Sequence, residues 1–246
     1  MKNLPVALTI AGSDSGGGAG IQADLKTFTA LGVFGVSAIT CITAQNPNAI
    51  TGIETVSPKL IAAQIKAVTG GFQVVASKTG MLFSADIIHT VAKSLKSVHH
   101  GPLIVDPVMV ATSGTRLLKQ DAMLALFREI LPLATVITPN LDEAEILAGC
   151  RIHSLKELQM AARVIAKRFG AACVAKGGHL EGGKAVDVLC VDNEITLYTA
   201  PRVRRRGTHG TGCMFSAALT AALAKGEDLH EAVAIAKHFV TTAIGS

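Results

Sequence analysis

Residues 5 to 20 read Pro-Val-Ala-Leu-Thr-Ile-Ala-Gly-Ser-Asp-Ser-Gly-Gly-Gly-Ala-Gly, and the segment Ala19 to Leu31 continues with helical spacing of its apolar side chains. The apolar run Pro5 to Ala11 predicts a buried strand, and the glycines after it predict a tight loop that leads into a helix. The same order of strand and helix recurs along the chain. It predicts an α/β fold, a three-layer sandwich whose mostly parallel central sheet has helices on both faces.

The other predicted elements continue this alternation. The predicted strands are Val36 to Thr43, Val74 to Thr79, Leu103 to Asp106, Thr135 to Thr138, Ala171 to Lys176, Val186 to Val191 and Glu194 to Thr199. The predicted helices are Pro58 to Val68, Ala85 to Val98, Gln120 to Leu131, Leu141 to Ala148, Leu155 to Phe169, Cys213 to Lys225 and Leu229 to Ala243. The last two strands, joined at Asp192-Asn193, predict an antiparallel hairpin at a sheet edge. No linker, repeat or composition shift divides the chain, so we expect one domain over residues 1–246.

Composition excludes several classes of protein. The chain has 246 residues, of which 49% are hydrophobic and 17% charged, so it can bury a large core. No apolar run is long enough to span a bilayer and no cleavage site follows the apolar start, so we expect a soluble cytoplasmic protein. The five cysteines are odd in number and widely spread, without a Cys-x-x-Cys pair. This pattern argues against a disulfide framework and a zinc site.

The formal charge of +5 raises the question of an acidic partner. Four arginines, Arg202, Arg204, Arg205 and Arg206, form a local basic cluster. The chain has no Trp and one Tyr, so stacking on single-stranded nucleic acid is poorly supported. The cluster is interpreted as a solvated edge or as an aid in attracting a polyphosphate.

A second glycine-rich loop, Gly-Thr-His-Gly-Thr-Gly-Cys at residues 207–213, leads into the alanine-rich segment Met214 to Ala224. A helix start leaves backbone N–H groups unpaired and carries partial positive charge, so this loop predicts an anion site. Cys213 stands where a helix terminus stabilises a thiolate, which makes it a candidate base or nucleophile. The alternative is a tight turn with a buried cysteine. His209 is a rival base, or a histidine that supports its own turn.

The first glycine loop resembles a dinucleotide fingerprint only superficially. Its spacing, Gly16, Gly18 and Gly20, lacks the final glycine three residues after the second, and no acidic residue ends a strand about 20 residues on. A Gly-Lys-Ser/Thr phosphate loop is also absent. A nicotinamide or flavin oxidoreductase therefore remains only as the alternative from a different class.

Ligands of such sheets gather beyond the carboxyl ends of the strands, so polar residues there are candidates. Asp24, in the first helix, is suited to hydrogen-bond a polar substrate edge, although first-turn acids also complement the helix dipole. Gln45, after the second strand, offers a donor and an acceptor for a heterocycle edge, or is an ordinary loop glutamine. Met81, after the third, offers an apolar wall for a flat ring.

Further strand ends carry charge. Asp106 ends the fourth strand, and Asn140 with Glu143 follows the fifth at the spacing of a capping box. The functional interpretation is that Asp106 and Glu143 organise Mg²⁺ through waters. Lys176, at the end of the sixth strand, is placed to reach a phosphate. Together with the anion site these residues predict a phosphotransferase outside the P-loop class.

Seven segments together resemble the hydroxymethylpyrimidine/phosphomethylpyrimidine kinases of thiamine biosynthesis, a branch of the ribokinase-like superfamily. They are residues 12–26, 43–46, 78–81, 106–109, 138–143, 176–179 and 208–213. The resemblance covers nearly the whole chain in order. It implies two successive phosphorylations of 4-amino-5-hydroxymethyl-2-methylpyrimidine by Mg-ATP, first on the hydroxymethyl oxygen and then on the resulting phosphate.

The resemblance also implies roles for single residues. The pyrimidine would be bound by Gly12, Asp24, Gln45, Met81 and Val108. Mg-ATP would be bound by Asp106, Asn140, Glu143, Lys176, Thr208 and Lys237. Gly210, Thr211, Gly212 and Cys213 would form the catalytic anion hole. Cys213 occupies the position at which most sugar kinases of the superfamily carry an aspartate base.

The chain departs from the family at two places: Gly207 stands where many members have asparagine, and the sequence ends at Ser246 without the usual glycine-rich tail. Members often form homodimers, so the resemblance makes a homodimer possible, but the sequence does not fix the oligomeric state. Pyridoxal kinase is the nearest rival function, because its substrate is a similar flat ring with a hydroxymethyl group. No nucleic acid or membrane partner is expected.

Overall fold

The computed structural model describes residues 4–46, 49–109, 118, 120–178, 180, 183–202 and 210–245. The strands are β1 Val6–Asp14, β2 Phe34–Asn46, β3 Ala49–Thr55, β4 Val74–Thr79, β5 Leu103–Val105, β6 Val136–Ile137, β7 Ala172–Lys176, β8 Lys184–Val191 and β9 Glu194–Pro201. The helices are α1 Gly20–Ala30, α2 Pro58–Gly71, α3 Ala85–Lys96, α4 Gln120–Ala125, α5 Leu141–Ala148, α6 Leu155–Phe169, α7 Thr211–Ala224 and α8 Leu229–Gly245.

The nine strands form one sheet in the order β3-β2-β1-β4-β5-β6-β7-β8-β9. The six strands from β2 to β7 in this order are parallel, while β3 and β8 run antiparallel to their inner neighbours, and β9 pairs antiparallel with β8. The turn between β8 and β9 places Asp192 and Asn193 at φ values of 49° and 69°. Short polar side chains tolerate this left-handed conformation, so the predicted edge hairpin is confirmed.

Alternate residues of each strand face two different helical layers. In β5, Leu103 and Val105 join a core with α2 to α6, whereas Ile104 packs with α7 and α8. In β1, Ala7 belongs to a core with α1 and α7. Because a strand turns successive side chains to opposite faces, this pattern requires helices on both sides of the sheet. The predicted three-layer α/β sandwich is confirmed.

Helix α7 is buried between the sheet and its neighbours α1 and α8. Ala217, Ala218, Ala221 and Ala222 of this helix are all nearly inaccessible. A helix that is apolar on all sides is a buried helix, and alanine lets its neighbours approach closely. The alanine-rich segment therefore fixes the second glycine loop, at the start of α7, against the centre of the sheet.

Strand β3 was not predicted. Its side chains are partly or fully exposed along its whole length, so it lacks the alternation that marks a half-buried strand. Pairing with β3 also extends β2 to Asn46, which places Gln45 inside a strand opposite Ile50 rather than in a loop. The prediction of Gln45 as a loop residue was therefore wrong in its local structure. Likewise β1 continues past a bulge to Asp14, so Gly12 lies within the strand and not after it.

The predicted helix from Gln120 to Leu131 is less regular than expected. Its α-helical part ends at Ala125, a π-helical turn spans Leu126–Ile130, and a 3₁₀ turn spans Leu131–Leu133. Pro132 has no backbone N–H, so the helix does not continue through it. Among the helices of the described ranges, none has the length and apolar character needed to cross a bilayer.

Candidate active site

The predicted site residues meet at the carboxyl edge of the parallel strands. β1, β4, β5 and β7 end at this edge, and the helices α1, α5 and α7 begin there. The edge therefore combines the tips of parallel strands with the positive ends of three helix dipoles, an arrangement suited to an anionic ligand.

The first glycine loop is closed by its own carboxylate. The Asp14 side chain accepts hydrogen bonds from the backbone N–H groups of Gly16, Gly18 and Ala19, at 2.8, 3.1 and 2.8 Å. The Lys26 ammonium donates to the carbonyl oxygen of Gly17 at 2.9 Å. These N–H donors just before α1 are therefore engaged within the loop.

The second glycine loop is built differently. Gly210 is the N-cap of α7 at φ 81°, and as a glycine it supplies no side-chain cap. A β-carbon on Gly210 would overlap the carbonyl oxygen of Gly18, so the two glycine loops are in direct contact. A β-carbon on Gly212 would lie 3.4 Å from Lys176 Nζ and 3.9 Å from an Asp106 carboxylate oxygen. The start of α7 thus faces the charged strand tips.

Asp106 and Lys176 form an ion pair at these tips. Lys176 Nζ lies 3.3 Å from Asp106 Oδ1, and the hydroxyl of Ser216 on α7 donates to Asp106 Oδ2 at 3.4 Å. Burial alone would lower the pKa of Lys176, but the neighbouring carboxylates Asp106 and Glu143 raise it above its ordinary value. Lys176 is therefore a stable cation beside the start of α7.

Glu143 joins two segments of the site. It forms the predicted capping box with Asn140, in which Asn140 Oδ1 accepts from the Glu143 N–H at 2.9 Å and Glu143 accepts from the Asn140 N–H at 3.0 Å. Its other carboxylate oxygen accepts from the N–H of Met109 at 3.0 Å. Burial and the charge of Asp106 raise the pKa of Glu143 to about 7. Glu143 therefore ties the turn after β5 to the start of α5.

Asp24 is enclosed rather than open. Its carboxylate lies 2.6 Å from Lys78 Nζ and accepts from the hydroxyl of Thr9 at 2.6 Å, and the Asp24 and Lys78 side chains have no accessible surface. Burial raises the pKa of Asp24 although Lys78 opposes this shift. The structure thus gives Asp24 a buried cation as partner, and its contact with a pyrimidine stays a prediction.

Other residues predicted for the pyrimidine lie close together. A β-carbon on Gly12 would come within 2.9 Å of the Met81 methyl group and 2.7 Å of Cys41 Sγ, so Gly12 allows Met81 to pack on the strand. Val108 has a φ of 43°, a strained value for a β-branched residue. Gln45 Oε1 accepts from Thr43 at 3.2 Å.

Cys213 does not carry the stabilised thiolate that the helix start predicted. Its side chain is only partly accessible, and burial raises the pKa of its thiol to about 12. Lys78 and the backbone N–H of Gly20 oppose this shift, whereas Asp24 and Asp106 add to it. The expectation of a depressed thiol pKa was wrong because burial outweighs the helix dipole.

Lys237 on α8 pairs with Asp187 on β8 at 2.8 Å, and Asp187 also accepts from the N–H of Gly177 at 3.1 Å. Since Lys176 and Asp187 are directly paired residues of β7 and β8, this second ion pair adjoins the first. Thr208, His179, His209 and Arg204 to Arg206 lie outside the described residues, so their predicted roles stay predictions.

The sequence predictions missed Asp14, Lys78 and Asp187 as partners in the site. Lys78 lies in the buried part of β4 and Asp187 in the buried part of β8, and a charged residue inside a buried strand needs a partner. Asp14 precedes three consecutive glycines, which is a signal for a side-chain-capped turn. The sequence thus signalled that these residues need partners, but it did not show which residues the partners are.

Comparisons with known proteins agree with this geometry. The family model for phosphomethylpyrimidine kinase matches residues 14–246. The hydroxymethylpyrimidine/phosphomethylpyrimidine kinase of Haemophilus influenzae is 49% identical over 248 residues, which cover 99% of this chain and 92% of that protein.

Solved structures give the same result. A phosphomethylpyrimidine kinase from Clostridium difficile has a TM-score of 0.88 and 42% identity, covering 98% of this chain and all of the other. Pyridoxal kinase from Bacillus subtilis, solved as an ADP complex, has a TM-score of 0.91 and 42% identity, covering 97% and 91% of the two chains. The predicted ribokinase-like fold and enzyme class, a phosphotransferase, are confirmed. The chain belongs to the phosphomethylpyrimidine kinase family.

Proposed function

We propose that the protein phosphorylates 4-amino-5-hydroxymethyl-2-methylpyrimidine with ATP and then phosphorylates the monophosphate to the diphosphate, in thiamine biosynthesis. The observation that carries the proposal is the nearly full-length similarity to kinases named for both steps. The site geometry supports it, because a helix start with a glycine N-cap, a lysine and an aspartate meet at one edge of the sheet.

The pyrimidine binds between the tips of β1, β2 and β4 and the turn after β5. Gly12, Met81 and Val108 supply its apolar walls, and Gln45 supplies hydrogen bonds to the ring edge. The close approach of Met81 to Gly12 supports this assignment. Asp24, whose carboxylate is enclosed by Thr9 and Lys78, acts on the ring only if that enclosure opens.

The nucleotide binds along the tips of β5 to β8. Lys176 contacts its phosphates, and the other residues that contact the nucleotide are Asn140, Thr208 and Lys237. The ion pair of Lys237 with Asp187, next to Lys176, supports this arrangement. Solved pyridoxal kinases of this fold hold ADP or AMP-PCP, which supports ATP as the donor.

Magnesium fits the carboxylates present. No cluster of three or more His, Cys, Asp or Glu side chains able to hold a metal occurs within the described ranges. Asp106 and Glu143 supply hard oxygen donors at the strand tips, and Mg²⁺ usually completes its shell with waters and phosphates. Both Glu143 oxygens already accept backbone N–H groups, which favours contact through water. When bound, the ion neutralises charge on the transferring phosphate.

Transfer takes place at the start of α7. The hydroxymethyl oxygen bonds to the γ-phosphorus, the bond from that phosphorus to the bridging oxygen breaks, ADP leaves, and the hydroxyl proton passes to water or to the small thiolate fraction of Cys213. The backbone N–H groups at Gly210 to Cys213 stabilise the charge on the phosphoryl oxygens. Loss of one such donor typically costs about 3 kcal/mol.

The Cys213 thiol contributes less to the rate of transfer than these backbone N–H groups do. With a pKa of about 12, only a few molecules in roughly 10⁵ carry a thiolate near neutral pH. Phosphoryl transfer passes through a loose transition state that places most of the work on positioning and charge. We therefore assign Cys213 to placing the hydroxymethyl group, with proton removal as its second role.

A Cys213→Ala protein measures this role. We expect kcat to fall while the affinity for ATP stays near that of the unchanged protein. Unchanged turnover would remove any role of the thiol. Activity in a Cys213→Asp protein would show that the position matters more than sulfur chemistry, and Cys150→Ala, at an exposed cysteine, is the matched control.

The function is tested by coupling ADP release to each alcohol. We expect two ADP per hydroxymethylpyrimidine at completion, one per monophosphate, and loss of both in Asp106→Asn. The control is Asp86→Asn, an exposed residue at the start of α3. One ADP per pyrimidine would limit the protein to a single step.

Pyridoxal phosphorylation is the second candidate, favoured by the fold-wide match to a pyridoxal kinase at 42% identity. The same assay distinguishes the two functions. Rapid ADP release with pyridoxal and none with the pyrimidine would reject the main proposal.

A further inference from the structure

Lys78 is an enclosed lysine that the proposed reaction does not yet use. It lies on β4 directly opposite Thr9 of β1, and both are completely buried. Asp24 reaches down from α1 and accepts from both, at 2.6 Å each. Every charged or polar group of this trio is therefore satisfied within the protein.

Stability alone is a poor explanation for this ion pair. Removing two charges from water is costly, and replacing a buried ion pair by neutral groups of similar shape is often neutral or stabilising. Lys78 and Asp24 pay this cost with no accessible surface. Their position close to the site suggests a use for the charge.

The charges that face Lys78 come from two other elements. Asp24 on α1 and Asp106 after β5 favour its charged form, and they help to hold its pKa above the ordinary value despite burial. Beyond them, Lys176 serves Asp106 and Glu143. Three carboxyl groups thus face two lysines at this edge. Without Lys78, a bare carboxylate would lie near the helix start at which we propose that a phosphate binds.

Cys213 connects this trio to α7. Lys78 is the charged group that most strongly opposes the raised pKa of its thiol. Helices α1 and α7 pack on each other through Phe28 and Ala217. The charge of Lys78 on β4 therefore acts on the Cys213 thiol at the start of α7.

We propose that Lys78 is a positioning residue for phosphoryl transfer: its ammonium, fixed by Asp24 and Thr9, neutralises the buried Asp24 on α1, the helix that packs on α7, and acts on the Cys213 thiol through its charge. The kinetic part rests on the proposed function. The part concerning Cys213 does not, because the thiol can be followed without any substrate.

The test is a double variant, Lys78→Met with Asp24→Asn, which removes both charges but keeps the side-chain sizes and an acceptor for Thr9. Lys93→Met with Asp86→Asn on α3 is the matched control, since Lys93 and Asp86 are exposed. Thermal unfolding, kcat and KM for the pyrimidine are measured for both. Alkylation of Cys213 by iodoacetamide is followed by peptide mass spectrometry at several pH values, with the exposed Cys150 as internal reference.

We expect the double variant to unfold near the temperature of the unchanged protein, while its kcat falls by about tenfold or more, the scale of one opposite charge nearby. KM for the pyrimidine should change less than kcat. Cys213 should alkylate severalfold more slowly at a given pH, because Lys78 affects the thiol more strongly than Asp24 does. Lys78→Met alone should be less stable, since it leaves Asp24 buried and unpaired.

A double variant that regains the original kcat, or whose Cys213 alkylates at the original rate, would overturn the proposal and leave the pair a role in folding only. A protein that fails to phosphorylate the pyrimidine would reject the proposed function instead. The alkylation result would still judge Lys78.

Discussion

The two glycine loops look alike in sequence but differ in what their backbone binds. In the loop before α1, the Asp14 carboxylate takes the N–H groups of Gly16, Gly18 and Ala19. At the start of α7 the N-cap is Gly210, which has no side chain of its own to cap the helix, and Gly212 faces Lys176 and Asp106. A glycine-rich loop therefore predicts that some acceptor can approach its backbone closely. An acidic side chain in the loop decides whether that acceptor comes from the protein itself.

The two loops also depend on each other. Gly210 lies against the carbonyl oxygen of Gly18, so the start of α7 packs directly on the first glycine loop. The loop that Asp14 closes thus supports the start of α7 by direct contact. This difference predicts unequal effects of substitution.

The largest effect is expected for Gly210→Ala. Gly210 has a φ of 81°, and a methyl group there would overlap Gly18, so the two loops must separate. We expect kcat to fall on the order of 10²-fold or more, as for loss of an oxyanion donor. Steady-state kinetics and thermal unfolding measure the effect.

Gly226→Ala is the matched control for this substitution. Gly226 follows α7 with a φ of 89°, but nothing lies within 4 Å of the position its β-carbon would take. It should cost only the backbone strain, about 1 kcal/mol of unfolding free energy, with kcat retained. If both variants lose activity equally, contact between the loops is not what matters.

Gly212→Ala tests whether the α7 loop is open to a ligand. The added methyl would lie 3.4 Å from Lys176 Nζ, a contact that a lysine side chain accommodates by a small shift. We expect KM for ATP to rise on the order of tenfold, about 1.4 kcal/mol of binding, with little loss of stability. Gly70→Ala in α2, where the methyl meets nothing within 4 Å, should change thermal stability only. An unchanged KM would mean that no phosphate lies at Gly212.

Asp14→Ala tests the opposite property in the first loop. Three N–H groups lose a charged acceptor, so we expect the free energy of unfolding to fall by about 3 kcal/mol. Because Asp14 closes its own loop and faces no ligand in our proposal, KM for ATP should change less than in Gly212→Ala. Urea unfolding gives the free energy, and Asp14→Asn, which keeps one acceptor oxygen, should lie between. A large rise in KM without loss of stability would assign Asp14 to the nucleotide.

The sequence was sufficient for features that depend on neighbours along the chain. The Asn140 capping box and the glycine at the start of α7 are local patterns, and the structure has them where they were predicted, whereas β1 and β2 run past their predicted ends. Lys78 and Asp24 are 54 residues apart, and only the placing of β4 beside β1 brings them together. The sequence patterns do not specify strand order.

Burial was the other unpredictable quantity. The sequence showed only the helix start, which predicted a low thiol pKa for Cys213. The packing of α1 and α7 that buries the sulfur and raises its pKa is tertiary, so the sequence pattern did not show it. For the same reason Asp24 was predicted as open to a ligand, although α1 turns its carboxylate inward to Lys78.

The start of α5 is intermediate between the two loops, since Glu143 caps its own helix and also lies beside the charged pair of the site. The pKa of Glu143 is about 7 in the folded protein, against 4.5 as its ordinary value. The folded state therefore binds more protons than the unfolded state between these values. The stabilisation is complete below pH 4.5 and is lost as pH rises through 7.

We expect this residue to lower the free energy of unfolding by about 2 kcal/mol between pH 5.5 and 7.5, measured by urea unfolding without metal. Glu143→Gln cannot ionise and should remove this slope, whereas Glu157→Gln, at an exposed helix start on α6, should leave it. A slope that persists in Glu143→Gln would assign the titration to another group. Loss of the slope would show that Glu143 titrates under the influence of the charged residues of the site. A helix start can then be closed by its own carboxylate, as Asp14 closes the first glycine loop, and still belong to the ligand site.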